Sequence, residues 1–369
     1  MPARALAACC LLGIACGALT ASAAHAAGHR KAAATPARKA AAARPQPPAA
    51  GPAYATRPDA MAFADDLAAR RGLDAAWVRE AIGSARLLPQ VPRLMLPPAN
   101  PAARNWRAYR GRFVEPVRIR AGLRFWDQNA ATLARAEREC GVPAGIIVGI
   151  IGVETIYGQQ TGAFRVLDTL ATLAFDFPAA HPRAADRTAY FRGELEEFLG
   201  QAARAGCDPG AARGSYAGAT GMPQFMPSSI AKFALDYDGD GRIDLLNSPA
   251  DAIGSVASYF AAHGWKPGQP VWFPVGFDDA RLQRDVLLAP DILPTFSAQR
   301  MAELGVILPP EAAAHAGPLA LVELQNGGDA PTYVAGTENF YAITRYNWSS
   351  YYAMAVEALG RAVAAARKN

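Results

Sequence analysis

The sequence predicts an α+β fold that is mainly α, and three observations carry that reading. Apolar residues recur at helical spacing over most of the stretch from Pro58 to about Gln201, the segment after Pro143 is apolar on nearly every side, and strand-like runs are confined to Val271 to about Ala335. With 369 residues, 51% of them hydrophobic, the chain has material for one large domain or two to three smaller ones around a sizeable core.

In chain order, Met1 to Ala27 reads as a secretory signal, with Arg4 as its positive start, Ala5 to Ala18 as its apolar stretch and Ala24-His25-Ala26 as a small-x-small cleavage site. Gly13 and Gly17 interrupt the stretch, which is shorter than the roughly 20 apolar residues of a membrane span. Leu6-Ala7-Ala8-Cys9 spells a lipoprotein-like box too early for an apolar region to precede it, so export to the periplasm without a lipid anchor is expected. Of the five cysteines only Cys140 and Cys207 then remain, as a disulfide or as two buried thiols.

Residues 28–57 are Ala, Pro and basic residues without one acid, the composition of a disordered tether. Without the seven Arg and Lys of residues 1–57, 30 basic residues face 32 acids, so the folded part is slightly acidic and no nucleic-acid partner is expected. The basic arm suits loose, salt-screened contact with a membrane surface or an anionic wall polymer. The chain is expected to act as a monomer.

Next, Phe63, Leu67, Leu73 and Trp77 mark helices, Leu88 to Pro101 is a Pro-rich break, and Trp106 to Arg138 is helical again. Pro143 starts a helix through Ile146, Ile147, Ile150, Ile151 and Val153, whose lack of a polar face marks a buried central element. Gly210 to Ser229 reads as loop, Asp251 to His263 as a helix burying Ile253, Val256 and Phe260, Val271-Trp272-Phe273 and Leu319 to Leu324 as strands, and Ser350 to Ala365 as a closing helix.

Glu154 is the leading catalytic candidate. Six residues of Ile, Val and Gly precede it, and Thr155, Tyr157 and Gly158 follow, so its carboxyl leaves an apolar helix where the chain bends. Poor solvation should raise its pKa, as an acid for a glycosidic oxygen requires. A buried Glu satisfied by hydrogen bonds is the structural alternative.

Gly152-Val153-Glu154-Thr155-Ile156-Tyr157-Gly158 and Leu167 to Asp176, followed by Ser215 to Ala219, Gln224 to Ser229, Asp251 to Phe260 and Asn339 to Asn347, resemble the lytic murein transglycosylase B family from Pro58 to the C-terminus. The resemblance implies a lysozyme-like core with a helical flank (about 58–265), a small β-containing insertion (about 266–335) and a C-terminal helical closure (about 336–369). It also implies cleavage of the β-1,4 bond between N-acetylmuramic acid and N-acetylglucosamine in peptidoglycan glycan strands without water, with one carboxylate and no catalytic cofactor. By motif position, the cleft residues carry over to Tyr109, Arg187, Ser215, Gln224, Tyr259, Asn339 and Tyr346. Ser215 and Asn339 would orient the acetamido and lactyl side, and the tyrosines would stack on sugars. The plainer readings are a loop-fixing hydroxyl, a helix cap and core aromatics. Thr188, Thr220 and Met222-Pro223 depart from the family's pattern.

Asp236-Tyr237-Asp238-Gly239-Asp240-Gly241-Arg242 places carboxylates at alternate positions and Gly at the sixth, the pattern of an oxygen cage for structural Ca2+. Asn247 holds the twelfth position where a bidentate Glu is usual. The resemblance implies closure by Asp251, giving Asp236, Asp238, Asp240, Arg242 and Asp251 as the metal set. The alternative is an acidic turn without an ion.

Rival functions fit less well. A catalytically dead wall-binding protein would not require Glu154, and a hydrolytic muramidase should show a second cleft carboxylate, whereas the nearby acids Asp168 and Asp176 read as helix caps or braces. His181 and His263 show no metal spacing for a metallopeptidase.

Overall fold

The computed structural model describes residues 50–96 and 104–368. The signal segment 1–27 and residues 28–49 of the expected tether lie outside them. The tether's end is corrected: residues 51–57 are packed. Gly51 N donates to Leu87 O at 2.7 Å, Tyr54 N donates to Ala85 O at 3.0 Å, and the Tyr54 ring is 1% exposed. One aromatic anchor and the Arg57 ion pair to Asp176 (2.8 Å) hold a stretch whose composition alone reads as unable to pack.

Helices Pro58–Arg71 and Ala75–Ser84 form an antiparallel pair, the second capped by Asp74, whose carboxylate accepts from Trp77 N at 2.7 Å. Leu67, Val78 and Ile82 bury against helices Val166–Phe175 and Ala184–Ala205. Asp168 and Asp176 stitch these layers together. Asp168 accepts from Arg86 N (3.0 Å) and Arg165 (2.9 Å), and Asp176 accepts from the Tyr54 hydroxyl (2.6 Å) as well as from Arg57. Both acids are committed to bracing.

The expected helical run after Trp106 is three helices, Trp106–Phe113, Pro116–Gln128 and Ala130–Cys140, because Pro116 and the Asn129 junction interrupt it. They surround helix Ala144–Thr155 together with Pro249–Ala262 and Ser350–Lys368. The central helix is apolar all round because other elements cover every side of it. A Cβ on Gly149 would overlap the Val356 carbonyl, and one on Gly360 would overlap the Gly145 carbonyl, so glycines let the backbones of Ala144–Thr155 and Ser350–Lys368 touch.

Strands β1 (Phe164–Arg165) and β2 (Arg213–Gly214) form a small ribbon. β3 (Trp272–Pro274), β6 (Ala320–Asn326) and β7 (Asp329–Gly336) build an antiparallel sheet in the order β3-β7-β6, and β4 (Gly276–Phe277) pairs with β5 (Val306–Ile307). Leu321 and Ala335 face a separate small core with Leu287, Met301 and Leu304. No disulfide joins Cys140 to Cys207, and both are partly buried.

Candidate active site

Glu154 sits in the last turn of the central helix, which ends at Thr155. The two residues that follow are both left-handed, Ile156 at φ 51 and Tyr157 at φ 57. That conformation is costly for a β-branched and for an aromatic side chain, so surrounding contacts must impose it. Three are evident. Gln160 N donates to Thr155 O (2.9 Å), Gly158 N donates to the Thr155 hydroxyl (3.0 Å), and the Tyr157 ring packs 5.1 Å from Phe125. The bend turns the chain away and leaves the Glu154 carboxyl at the helix end.

Glu154 accepts a hydrogen bond from the Tyr352 hydroxyl at 2.6 Å. Burial raises its pKa from 4.5 to about 7, while the Tyr352 bond pulls the other way. The partial negative charge of the helix C-terminus also disfavours the carboxylate. Burial and the Glu154 charge raise the Tyr109, Tyr346 and Tyr352 hydroxyls above the ordinary tyrosine value, so three phenols stay neutral donors around one carboxyl.

Among the carried-over residues, the structure brings Tyr109 and Tyr346 to Glu154. Tyr346 stacks 6.3 Å from Tyr352, and its hydroxyl donates to Pro223 O at 2.5 Å. Ser215 fixes its own loop, its hydroxyl accepting from Ala219 N at 3.1 Å. Gln224 holds the glycine loop from a left-handed backbone (φ 51), donating to Thr161 O and Gly221 O, both at 3.0 Å. Arg187 lies over Tyr190 and Phe191.

Two assignments are corrected. Asn339 is fully buried, and its amide is spent on the 266–269 loop: it accepts from Lys266 N (2.7 Å) and donates to Lys266 O (2.8 Å) and Gln269 O (2.9 Å). It staples that loop and offers no group to a sugar, whereas Asn347, at the end of the same motif, is exposed. Tyr259 is 7% exposed, stacked at 3.9 Å on His263, with its hydroxyl donating to Arg345 O at 2.7 Å. Its ring packs 4.8 Å from the Tyr346 ring, as a core aromatic.

Sequence reading missed Tyr352 and Thr155. The Thr155 hydroxyl donates to Met222 O at 2.8 Å, and Met222 N donates to Leu245 O at 2.7 Å. This path ties the end of the catalytic helix to the glycine loop and the glycine loop to the acidic loop.

In that acidic loop, carboxylate oxygens of Asp236, Asp238 and Asp251 lie within 4.8 Å of one another. Asp251 is 1% exposed and accepts from Tyr237 N and Asp244 N, both at 2.7 Å. Three hard, anionic donors gathered this closely fit a divalent cation such as calcium. Asp240 stands outside the trio, its carboxylate accepting from Arg242 N at 2.8 Å, so the expected set is narrowed; Arg242 could contribute only its carbonyl.

A neutral-pH carboxylic acid walled by phenols at the end of a buried helix, in a mainly helical fold, defines a lysozyme-like glycan-cleaving enzyme. The transglycosylase SLT domain model matches residues 55–361, and the chain belongs to that family, the lytic murein transglycosylases acting on peptidoglycan. It is 41% identical over 323 residues, covering 85% of each chain, to membrane-bound lytic murein transglycosylase B of Escherichia coli strain K12. It superimposes on the E. coli lytic transglycosylase Slt35 in complex with bulgecin A (TM-score 0.77, 41% identity, 86% of this chain and 96% of that one). A structure of Slt35 in complex with calcium gives TM-score 0.74, 40% identity and coverage of 86% and 96%. SltB3 of Pseudomonas aeruginosa, in complex with NAG-anhNAM-pentapeptide, matches at TM-score 0.66 and 30% identity, over 81% of this chain and 76% of that one. Among the described residues no helix is long and apolar enough to cross a membrane.

Proposed function

We propose that Glu154 is the sole general acid and then general base of a reaction that cuts the bond between N-acetylmuramic acid and N-acetylglucosamine and leaves a 1,6-anhydromuramic end. The observation that carries this reading is the Glu154–Tyr352 pair, a carboxyl with a pKa of about 7 held by one phenol at 2.6 Å. Protonated Glu154 gives its proton to the leaving oxygen, and the substrate's own 2-acetamido group stabilises the anomeric carbon. The carboxylate, oriented by Tyr352, then takes the proton of the muramic C6 hydroxyl, whose oxygen closes on the anomeric carbon. Hydrolases use a second carboxylate roughly 5 to 10 Å away. Asp168 and Asp176, the acids the neighbouring motif supplies, are engaged in bracing.

Asp236, Asp238 and Asp251 would hold a structural calcium ion, in line with the calcium complex of Slt35. The ion would fix the loop that contacts Met222 and takes no part in bond cleavage. The setting proposed is the periplasm, in turnover and remodelling of the cell wall. Digestion of purified peptidoglycan, followed by weighing of the released muropeptides, tests the chemistry. Products one water lighter than hydrolysis products are expected, and products of full mass would overturn the single-carboxylate reading.

A further inference from the structure

We propose that the groove between helix Ala75–Ser84 and the end of helix Ala184–Ala205 holds the chain's own basic, proline-rich segment, residues 28–49. The groove has a volume of about 540 Å³. Leu73, Trp77 and Pro209 form its apolar part, and Asp74, Glu80 and Asp208 its acidic part. Neither Glu154 nor the phenols around it line this groove.

The charges of groove and segment are complementary. Residues 28–49 carry Arg30, Lys31, Arg38, Lys39 and Arg44 and no acid. Asp74, Glu80 and Asp208 are exposed and form no ion pair among the described residues, because the arginines of the surrounding chain are spent on other acids. Arg70 and Arg71 pair with Glu196, Arg79 with Asp65, and Arg165, which donates to Ser84 O at 3.1 Å, with Asp168. Asp74 accepts from Trp77 N and Asp208 from Gly210 N, both at 2.7 Å, bonds that orient these carboxylates without neutralising them.

The prolines and the point of attachment agree with the charges. Pro36, Pro45, Pro47 and Pro48 punctuate the segment, and proline-rich chains dock in grooves walled by an aromatic ring such as Trp77. The segment joins the described chain at Ala50, and Gly51 N donates to Leu87 O at 2.7 Å, three positions beyond Ser84 on the groove. Three residues of extended chain span about 10 Å, whereas the seven from Arg44 to Gly51 span up to roughly 23 Å, so the basic residues reach the acidic rim. Covalent attachment keeps the segment at an effective concentration on the order of millimolar, so weak surface ion pairs suffice to fill the groove. Docked there, the basic arm is held back from wall polymers and membrane surfaces, which must compete for it with three carboxylates of its own fold.

The test uses the chain from Gly28 to Asn369 and a carbodiimide, which joins a lysine amine to a carboxylate only where the two touch. Mass spectrometry of the digested product should find Lys31 or Lys39 linked to Asp74, Glu80 or Asp208 within one molecule. Trypsin supplies a readout that needs no cross-link. It should cut after Arg38, Lys39 and Arg44 about tenfold more slowly in the wild type than in the Asp74→Asn/Glu80→Gln/Asp208→Asn variant. That variant removes the charges but keeps side-chain acceptors for Trp77 N and Gly210 N, so the fold is undisturbed. Cross-links that run only to other carboxylates, such as those of the acidic loop around Asp238, overturn the groove. Links found only between two molecules overturn its occupancy by the chain's own segment, and equal cleavage rates in the two proteins overturn the docking altogether.

Discussion

The Tyr352 hydroxyl and the Glu154 carboxyl, 198 positions apart in the chain, share a 2.6 Å hydrogen bond. That bond favours the carboxylate, so it opposes the burial that raises the pKa. The wild type should lose activity as pH rises through about 7, where the acid deprotonates. Tyr352→Phe removes the opposing effect and should move this alkaline limb to higher pH, with a lower kcat because the carboxyl is no longer oriented. A pH–rate profile superimposable on the wild type would show that the phenol does not tune Glu154.

The same shift has a cost in stability. Glu154 titrates at about 7 in the folded chain against an ordinary 4.5, so between those values the folded state holds more protons than the unfolded one. Its contribution is therefore fully present below pH 4.5 and is lost as pH rises through 7, to the extent of about 3 kcal/mol. Glu154→Gln cannot ionise and still accepts from Tyr352. It should be inactive yet melt above the wild type at pH 8, with the gap closing toward pH 4.5. Equal melting temperatures at pH 8 would refute the buried-acid account.

How far the sequence revealed this arrangement depends on whether the deciding contacts are local. The central helix was legible because burial on every side leaves only Ile, Val, Ala and Gly in its middle, and the β6–β7 hairpin was half visible, Leu319 to Leu324 reading as strand. Tyr352 was invisible, since nothing near Ser350 signals a partner on a helix far away in the chain. Asn339 was misplaced because its motif holds two asparagines eight positions apart, and only packing shows that Asn339 faces a loop while Asn347 faces solvent. Tyr54 was lost in the composition of its Ala- and Pro-rich neighbourhood.

Thr155 is buried, with its hydroxyl donating to Met222 O and accepting from Gly158 N. Thr155→Val keeps the shape but leaves a carbonyl and an amide without this partner, at a cost of about 1–3 kcal/mol. It also frees the bend that carries Glu154 from the glycine loop. The expected outcome is a lower melting temperature together with a kcat reduced more than KM is raised. A variant that loses stability but keeps kcat would limit Thr155 to a structural role.

Gly149→Ala would normally strengthen a helix by about 1 kcal/mol. Here the added methyl overlaps the Val356 carbonyl, so either the closing helix moves or the central one does. Val356 lies one turn along from Tyr352, and any displacement is passed to the Glu154 hydrogen bond. The substitution should destabilise by about 1–3 kcal/mol and lower activity. A gain in melting temperature would mean that the two helices are not in backbone contact.

The acidic loop makes the last prediction, because its like charges are gathered and, among the described residues, no Lys or Arg forms an ion pair with them. Asp236, Asp238 and Asp251 repel one another when ionised, and burial raises the Asp251 pKa. A bound divalent ion relieves both effects, so adding calcium at a hundredfold excess over its Kd should stabilise by about 2.7 kcal/mol. Asp238→Asn, at an exposed member of the trio, should abolish that response without unfolding the protein. Asp251→Ala should be worse than loss of the ion, because the Tyr237 and Asp244 amides lose their acceptor as well. Since Leu245 O accepts from Met222 N, the calcium-free protein should also show faster amide exchange at Met222, a readout independent of catalysis. A melting temperature and a Met222 exchange rate both indifferent to calcium would reduce the loop to an acidic turn.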